Sequence, residues 1–322
     1  MQALSLSGGS TKIAGIAGAA VTICQIHGYH PKYITGISAG SIIAVPLAMG
    51  MFDEIKTLTT TITSEMVFKI NPLNRKGKPS GRGLRRAIVG CQSLGVQNLK
   101  ATLSKIITPD IFAEYKNGPE YAKCYLGAVE FRTGAKHYFD VKKGTHQDYL
   151  NAMAASASIP VFVESVPING VTTHNQRKIG QGFWMDGGTR DHVGSHWLMK
   201  QKDDITEHIS VYSRPKDFKL PDETKWVPGG VVSMLTRSLD ILNTEKSKND
   251  EFMENVVAKA NNIKTRQVFL DISETIGYDM DPVKLRGWYN KAVTNAHGVM
   301  NTPWREPEDI QLEIGGQQLS IS

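Results

Sequence analysis

Residues 34–45 read ITGISAGSIIAV: an extended run, Ile34-Thr35-Gly36-Ile37, meets a helix-forming run that starts at Ala39. Between them lies Ser38, and Gly36-Ile37-Ser38-Ala39-Gly40 matches G-x-S-x-G, the pattern of a nucleophile carried on a sharp strand-to-helix turn. Such a turn forces its middle residue into strained backbone angles. Nothing bulky fits two positions to either side, which is why glycines stand there. The same letters also describe a plain tight turn with a serine capping a helix. The rest of the chain has to separate the two.

Outward from this turn, strand-like runs cover 3–6, 33–37, 121–131, 136–141, 161–166, 208–212 and 267–272. Helical patterns cover 13–27, 39–49, 98–107, 146–155, 231–245 and 282–297. That alternation predicts an α/β fold, a central, mostly parallel sheet sandwiched by helices. No linker or repeat divides the 322 residues, so one domain over 1–322 is expected, with the role of residues beyond about 200 unassigned. The three cysteines, Cys24, Cys91 and Cys124, form no C-x-x-C pair, which predicts reduced thiols and a cytoplasmic setting. The chain opens without a basic, apolar leader, and its longest apolar run, IIAVPLAMGMF, is about half the roughly 20 residues a membrane span needs.

The place of Ser38 along the chain makes one common hydrolase architecture a poor fit. In an α/β-hydrolase several strands precede the nucleophile turn and a histidine follows the acid; here only two strand-like runs come first. Just upstream, LSLSGGSTKIAG puts Gly8 and Gly9 where the first strand turns into a helix. A glycine-rich turn at a helix N-terminus exposes backbone N–H groups that bind a phosphate or an oxyanion. Neither G-x-x-x-x-G-K-[ST] nor G-x-G-x-x-G is present, so a nucleotide site fits poorly. A plain βα turn is the other reading.

A serine nucleophile needs a group to take its proton. His192 and His196 stand at helical spacing but without H-E-x-x-H, which favours surface or capping roles over a metal site. FWMDGGTRD offers Asp186 at the end of an apolar strand-like piece, although D-G alone also reads as an ordinary turn. Taken in order, Gly8-Gly9-Ser10-Thr11-Lys12, Gly36-Ile37-Ser38-Ala39-Gly40 and Asp186-Gly187-Gly188 resemble the patatin-like phospholipase family over roughly residues 1–200. The segment AMAASASIPVFVESVPING, residues 152–170, is similar to that family's A-S-x-A-x-P stretch.

The resemblance implies a three-layer α/β/α fold and a Ser38–Asp186 dyad with no histidine, metal or organic cofactor. It implies an oxyanion hole from the N–H groups of Gly8, Gly9 and Ser10, with Lys12, Gly36, Gly40, Gly187 and Gly188 as supporting positions. Lys12 steadies the turn, draws an anionic substrate, or is simply a solvated surface lysine. The implied substrate is a phospholipid or another acyl ester, cut through an acyl-enzyme. Two departures bear on the oxyanion hole: Ser10 stands for the family's third glycine, and Ile13 follows the basic residue. The polar stretch 168–188 before the D-G-G is longer than the family pattern and reads as a hairpin or loop.

The chain carries a net charge of +6, and no acidic residue interrupts 66–109. Arg75, Lys76, Lys78, Arg82, Arg85 and Arg86 cluster there, with Phe68, Leu73 and Leu84 as apolar neighbours. Each such charge adds up to about 1 kcal/mol near an anionic bilayer, so peripheral membrane contact is one reading and a solvated loop the other. Aromatic residues are not interleaved with these charges, so nucleic acid is not expected as a partner. The alternative from another class is a catalytically silent lipid- or anion-binding protein of the same fold.

Overall fold

A computed structural model describes residues 1–69, 97–160, 163–174, 176–217, 231–272, 280–314 and 317–318. One sheet is built from β1 (Gln2–Leu6), β2 (Tyr33–Ile37), β3 (Lys123–Glu130), β4 (Ala135–Asp140), β5 (Val166–Thr172), β6 (Lys178–Asp186), β7 (Glu207–Tyr212) and β8 (Lys264–Phe269). Its order is β5-β6-β3-β2-β1-β7-β8, with β4 also paired to β3. The run from β3 to β8 is parallel, and β4, β5 and β6 are antiparallel additions at one end. All five residues of β2 and the last four of β1 are buried, as expected for central parallel strands covered on both faces.

The helices are α1 (Ile13–Val21), α2 (Ala39–Ala48), α3 (Phe52–Thr61), α4 (Ser64–Val67), α5 (Gln97–Ile106), α6 (Pro109–Asn117), α7 (His146–Ser156), α8 (Ser195–Gln201), α9 (Val231–Ala260) and α10 (Pro282–Met300). Strand side chains alternate between two cores. Leu4, Leu6, Ile34 and Leu126 pack with α1, α2, α7 and α10 on one face. Ala3, Tyr33, Ile37 and Tyr125 pack with Trp197 and Leu198 of α8 and Val257 and Ala258 of α9 on the other. The fold is therefore three layers, α/β/α. No helix among the described residues is long and apolar enough to cross a membrane.

Several elements differ from the sequence expectation. Of the strand expected at 161–166, residues 161–162 lie outside the described residues, and β5 begins at Val166. The polar stretch before Asp186 is the β5–β6 hairpin. The helix expected to end at 27 is α-helical to Val21 and then widens to a π-turn over Thr22–Ile26. Helix α9 runs on to Ala260, well past the expected end at 245. Its second half escapes an apolar pattern because the face turned inward is polar: Ser247, Asp250 and Glu254 are all buried.

Strand β3 sets the geometry that matters. One of its edges carries β4 along Tyr125–Glu130. The opposite edge is shared: β2 runs parallel up to Ile37, opposite Gly127, and β6 runs antiparallel down to Asp186, opposite Ala128. The two strands meet end to end along that edge, so the residue after Ile37 and the last residue of β6 are brought together.

Candidate active site

Ser38 is the first residue after β2, with φ 52° and ψ −118°. A non-glycine residue there costs about 1–3 kcal/mol and persists only when its surroundings hold it. They do so through several bonds. The Ser38 N–H donates to Ser156 Oγ at 2.9 Å, and that hydroxyl donates to the Gly127 carbonyl at 2.6 Å. The Ser38 carbonyl accepts from the Ser41 N–H at 2.9 Å and the Ser41 hydroxyl at 2.6 Å. The turn is also packed to contact: a Cβ on Gly40 would lie 2.5 Å from the Leu6 carbonyl oxygen, and one on Gly36 2.6 Å from that of Gly40.

Asp186 ends β6 and is only 6% exposed. Its Oδ1 accepts the Gly188 N–H at 2.7 Å, and its carbonyl accepts the Thr189 hydroxyl at 2.6 Å. The register on β3 sets Asp186, opposite Ala128, beside Ser38, which follows Ile37 opposite Gly127. Burial pushes the Asp186 carboxyl up from 3.8 to about 6; the Ser38 hydroxyl, the Gly188 N–H and the Lys246 ammonium each oppose that rise. A carboxylate with such a proton affinity is a usable general base near neutral pH. The glycine after it is needed, since a Cβ on Gly187 would lie 2.4 Å from the Gly127 carbonyl oxygen.

The glycine turn after β1 borders Ser38: a Cβ on Gly8 would sit 3.3 Å from Ser38 Cβ. Its three expected N–H donors are not equivalent. Gly8 is a correction, because its N–H already donates to the His192 carbonyl at 2.9 Å. The Gly9 N–H meets no protein acceptor among the described residues. Ser10 has φ 50°, the left-handed region that a glycine would occupy without strain. Lys12 is 8% exposed, and its ammonium donates to the Ser213 and Ile272 carbonyls at 3.1 and 3.2 Å. A solvated surface lysine is therefore corrected, and of the other expected roles for Lys12 these contacts fit steadying the turn against the ends of β7 and β8.

Sequence reasoning missed a polar layer behind these turns. His192 is not a surface residue: its Nε2 lies 3.2 Å from Ser213 Oγ, and that hydroxyl donates to the Gly8 carbonyl. Burial, with Lys246, Arg214 and Lys12 nearby, pushes His192 down to about 3, so the ring is neutral. Asp191, His196 and Asp250 offer ligand atoms within 4.8 Å of one another. The Lys136 ammonium holds both Asp191 oxygens at 3.0 and 2.8 Å, which supplies a cation to that cluster from the chain itself. Asp191 and His192 lie a few residues past the D-G-G, so nearness in sequence could have flagged them. Lys246 and Asp250 carried no such signal.

The basic residues Arg75, Lys76, Lys78, Arg82, Arg85 and Arg86, with Leu73 and Leu84, lie outside the described residues. Phe68 is a correction: it is 6% exposed and belongs to the core, so it is not available to a membrane.

A family model described as patatin-like phospholipase matches residues 4–195, well over half of the chain. No curated protein matches the chain. Among solved structures, VipD from Legionella pneumophila is similar at 11% identity and a TM-score of 0.49, over 95% of this chain and 67% of that one.

Proposed function

Since the chain belongs to the patatin-like phospholipase family, whose common chemistry is lipid acyl hydrolysis, we propose that it cleaves carboxylic esters of membrane phospholipids through Ser38 and Asp186. The observation that carries this reading is the pairing of a serine at a strained strand-to-helix turn with a buried carboxylate pushed up to about 6. Asp186 takes the Ser38 proton as Oγ attacks the ester carbonyl. The tetrahedral oxyanion is met by backbone N–H groups of the glycine turn, Gly9 and Ser10 being the expected donors. Collapse releases the lysolipid alcohol, which takes the proton from Asp186, and leaves an acyl-Ser38 ester. Water, deprotonated by Asp186, then adds to the acyl carbon; the C–Oγ bond breaks, the fatty acid leaves, and Asp186 returns the proton to Ser38 Oγ. The Gly8 N–H is held by the His192 carbonyl; one oxyanion donor is typically worth about 10²–10³ in rate.

Contact with an anionic bilayer belongs to the same reading and rests on the charge run 75–86 alone. The test is hydrolysis of mixed anionic and neutral liposomes, with released fatty acids and lysolipids identified by mass spectrometry. Release by the wild type, lost in both Ser38→Ala and Asp186→Asn, is the expected result. Equal release by all three would refute the dyad. Liposome binding without release would favour a silent lipid binder.

A further inference from the structure

We propose that Lys246, on the long helix α9 beyond the matched family region, is a positioning residue that holds the Asp186 turn in its working geometry from behind. The inference rests on the Ser38–Asp186 reading. Its ground is a chain of contacts. The Lys246 ammonium donates to the Gly188 carbonyl, and the Gly188 N–H donates to Asp186 Oδ1 at 2.7 Å. A glycine backbone swings freely unless both of its peptide groups are tied. Here Lys246 ties one and Asp186 the other, so the donor that orients the carboxylate is itself anchored to α9.

One helical turn on, Asp250 lies on the same face as Lys246. Its Oδ2 accepts the N–H groups of His192 and Val193, the latter at 3.1 Å. The His192 carbonyl in turn takes the Gly8 N–H at 2.9 Å. The same face of α9 therefore grips segment 188–193 at two points and passes that hold to the glycine turn beside Ser38. This gives the C-terminal third a task that its sequence did not reveal.

Lys246 also acts through charge. Asp186, Asp250 and Asp191 face it and favour its ammonium form, against the burial that lowers it. Asp186 is faced by Ser38 and the Gly188 N–H from its own side of the site and by Lys246 from α9. Beyond them, Lys136 and Tyr138 of β4 and His196 of α8 face Asp191, and Lys136 also faces Asp250. A lysine that merely neutralised Asp191 and Asp250 would leave Asp186 indifferent to its loss. A lysine acting on Asp186 would not, since a nearby opposite charge moves a carboxyl by about 1–3 units.

The test uses the full chain and two readouts. The first is the rate at which a fluorophosphonate captures Ser38, followed by intact mass from pH 5 to 9. Lys246→Met is expected to move the acid limb up by about one unit or more, giving capture about fivefold slower or more at pH 6 and recovery at high pH. Lys246→Arg should restore the limb. The second readout needs no reactivity: the pH at which the stability difference made by Asp186→Asn levels off, measured with and without Lys246→Met, should rise by a similar amount. A rate reduced evenly at every pH, or unchanged, together with an unmoved levelling-off pH, overturns the proposal. If the wild type captures no fluorophosphonate, the serine-hydrolase reading fails, and the levelling-off pH of the stability difference alone decides for or against Lys246.

Discussion

Replacing Asp186 by Asn removes a charge that the fold holds at a cost. The carboxyl rises from 3.8 to about 6 on folding, about two units at about 1.4 kcal/mol each, or ~3 kcal/mol in all. The sign follows from which state binds the proton more tightly. Below pH 3.8 the group is protonated in both states and contributes nothing. Between 3.8 and about 6 the unfolded chain ionises first, so stability drains away as pH rises. Above about 6 both states are ionised and the full cost remains. The amide imitates the protonated acid and still accepts the Gly188 N–H, so the variant escapes this cost. Asp186→Asn should match the wild type near pH 4 and exceed it by ~3 kcal/mol at pH 8, on the order of 5 °C in melting temperature. Urea unfolding from pH 4 to 8 measures it. A stability difference that is flat with pH, or a variant less stable at pH 8, would refute the buried-base argument. A gain in stability with a loss of activity is the expected mark of a site held in a costly state for its chemistry.

Other outcomes test neighbouring parts of the site. Hydrolysis should fall about tenfold per pH unit below about 6, where Asp186 takes up its proton, and level off above it; a profile flat through pH 5–7 would exclude Asp186 as the base. Ser156→Ala strands the Ser38 N–H and the Gly127 carbonyl, which should cost about 1–3 kcal/mol in urea unfolding and lower kcat/KM; an unchanged variant would mean that the nucleophile turn holds itself. Replacing Arg75, Lys76, Lys78, Arg82, Arg85 and Arg86 by Gln should weaken binding to anionic vesicles in sedimentation and remove its salt dependence. Hydrolysis of neutral micelles should stay intact, and unchanged anionic binding would make the run a solvated surface.

The first strand, the second strand and the helix after Ser38 were legible because each is short, apolar and closed by a glycine or a serine that has few other uses. Central parallel strands are buried on both faces, so their residues announce themselves whatever they pack against. The same holds for Gly36, Ser38 and Gly40, whose turn is a local event within a few residues. Asp186 stood out for a similar reason, at the end of an apolar strand before two glycines.

What the linear chain does not contain is the meeting of the two ends. Ser38 and Asp186 are neighbours because β2 and β6 arrive from opposite directions on one edge of β3, a pairing made by backbone hydrogen bonds between distant segments. The loss of the Gly8 donor to His192 and the grip of Lys246 on Gly188 are likewise contacts across the fold. Helix α9 hid its length because its inward face is polar, and a polar stripe reads as solvent-facing until partners are seen. Local backbone preference and hydrophobic burial are written residue by residue, so the sequence determined the elements and the nucleophile turn. Which polar groups satisfy one another, and with what proton affinity, depends on distance and burial in three dimensions, and only the tertiary structure decided it.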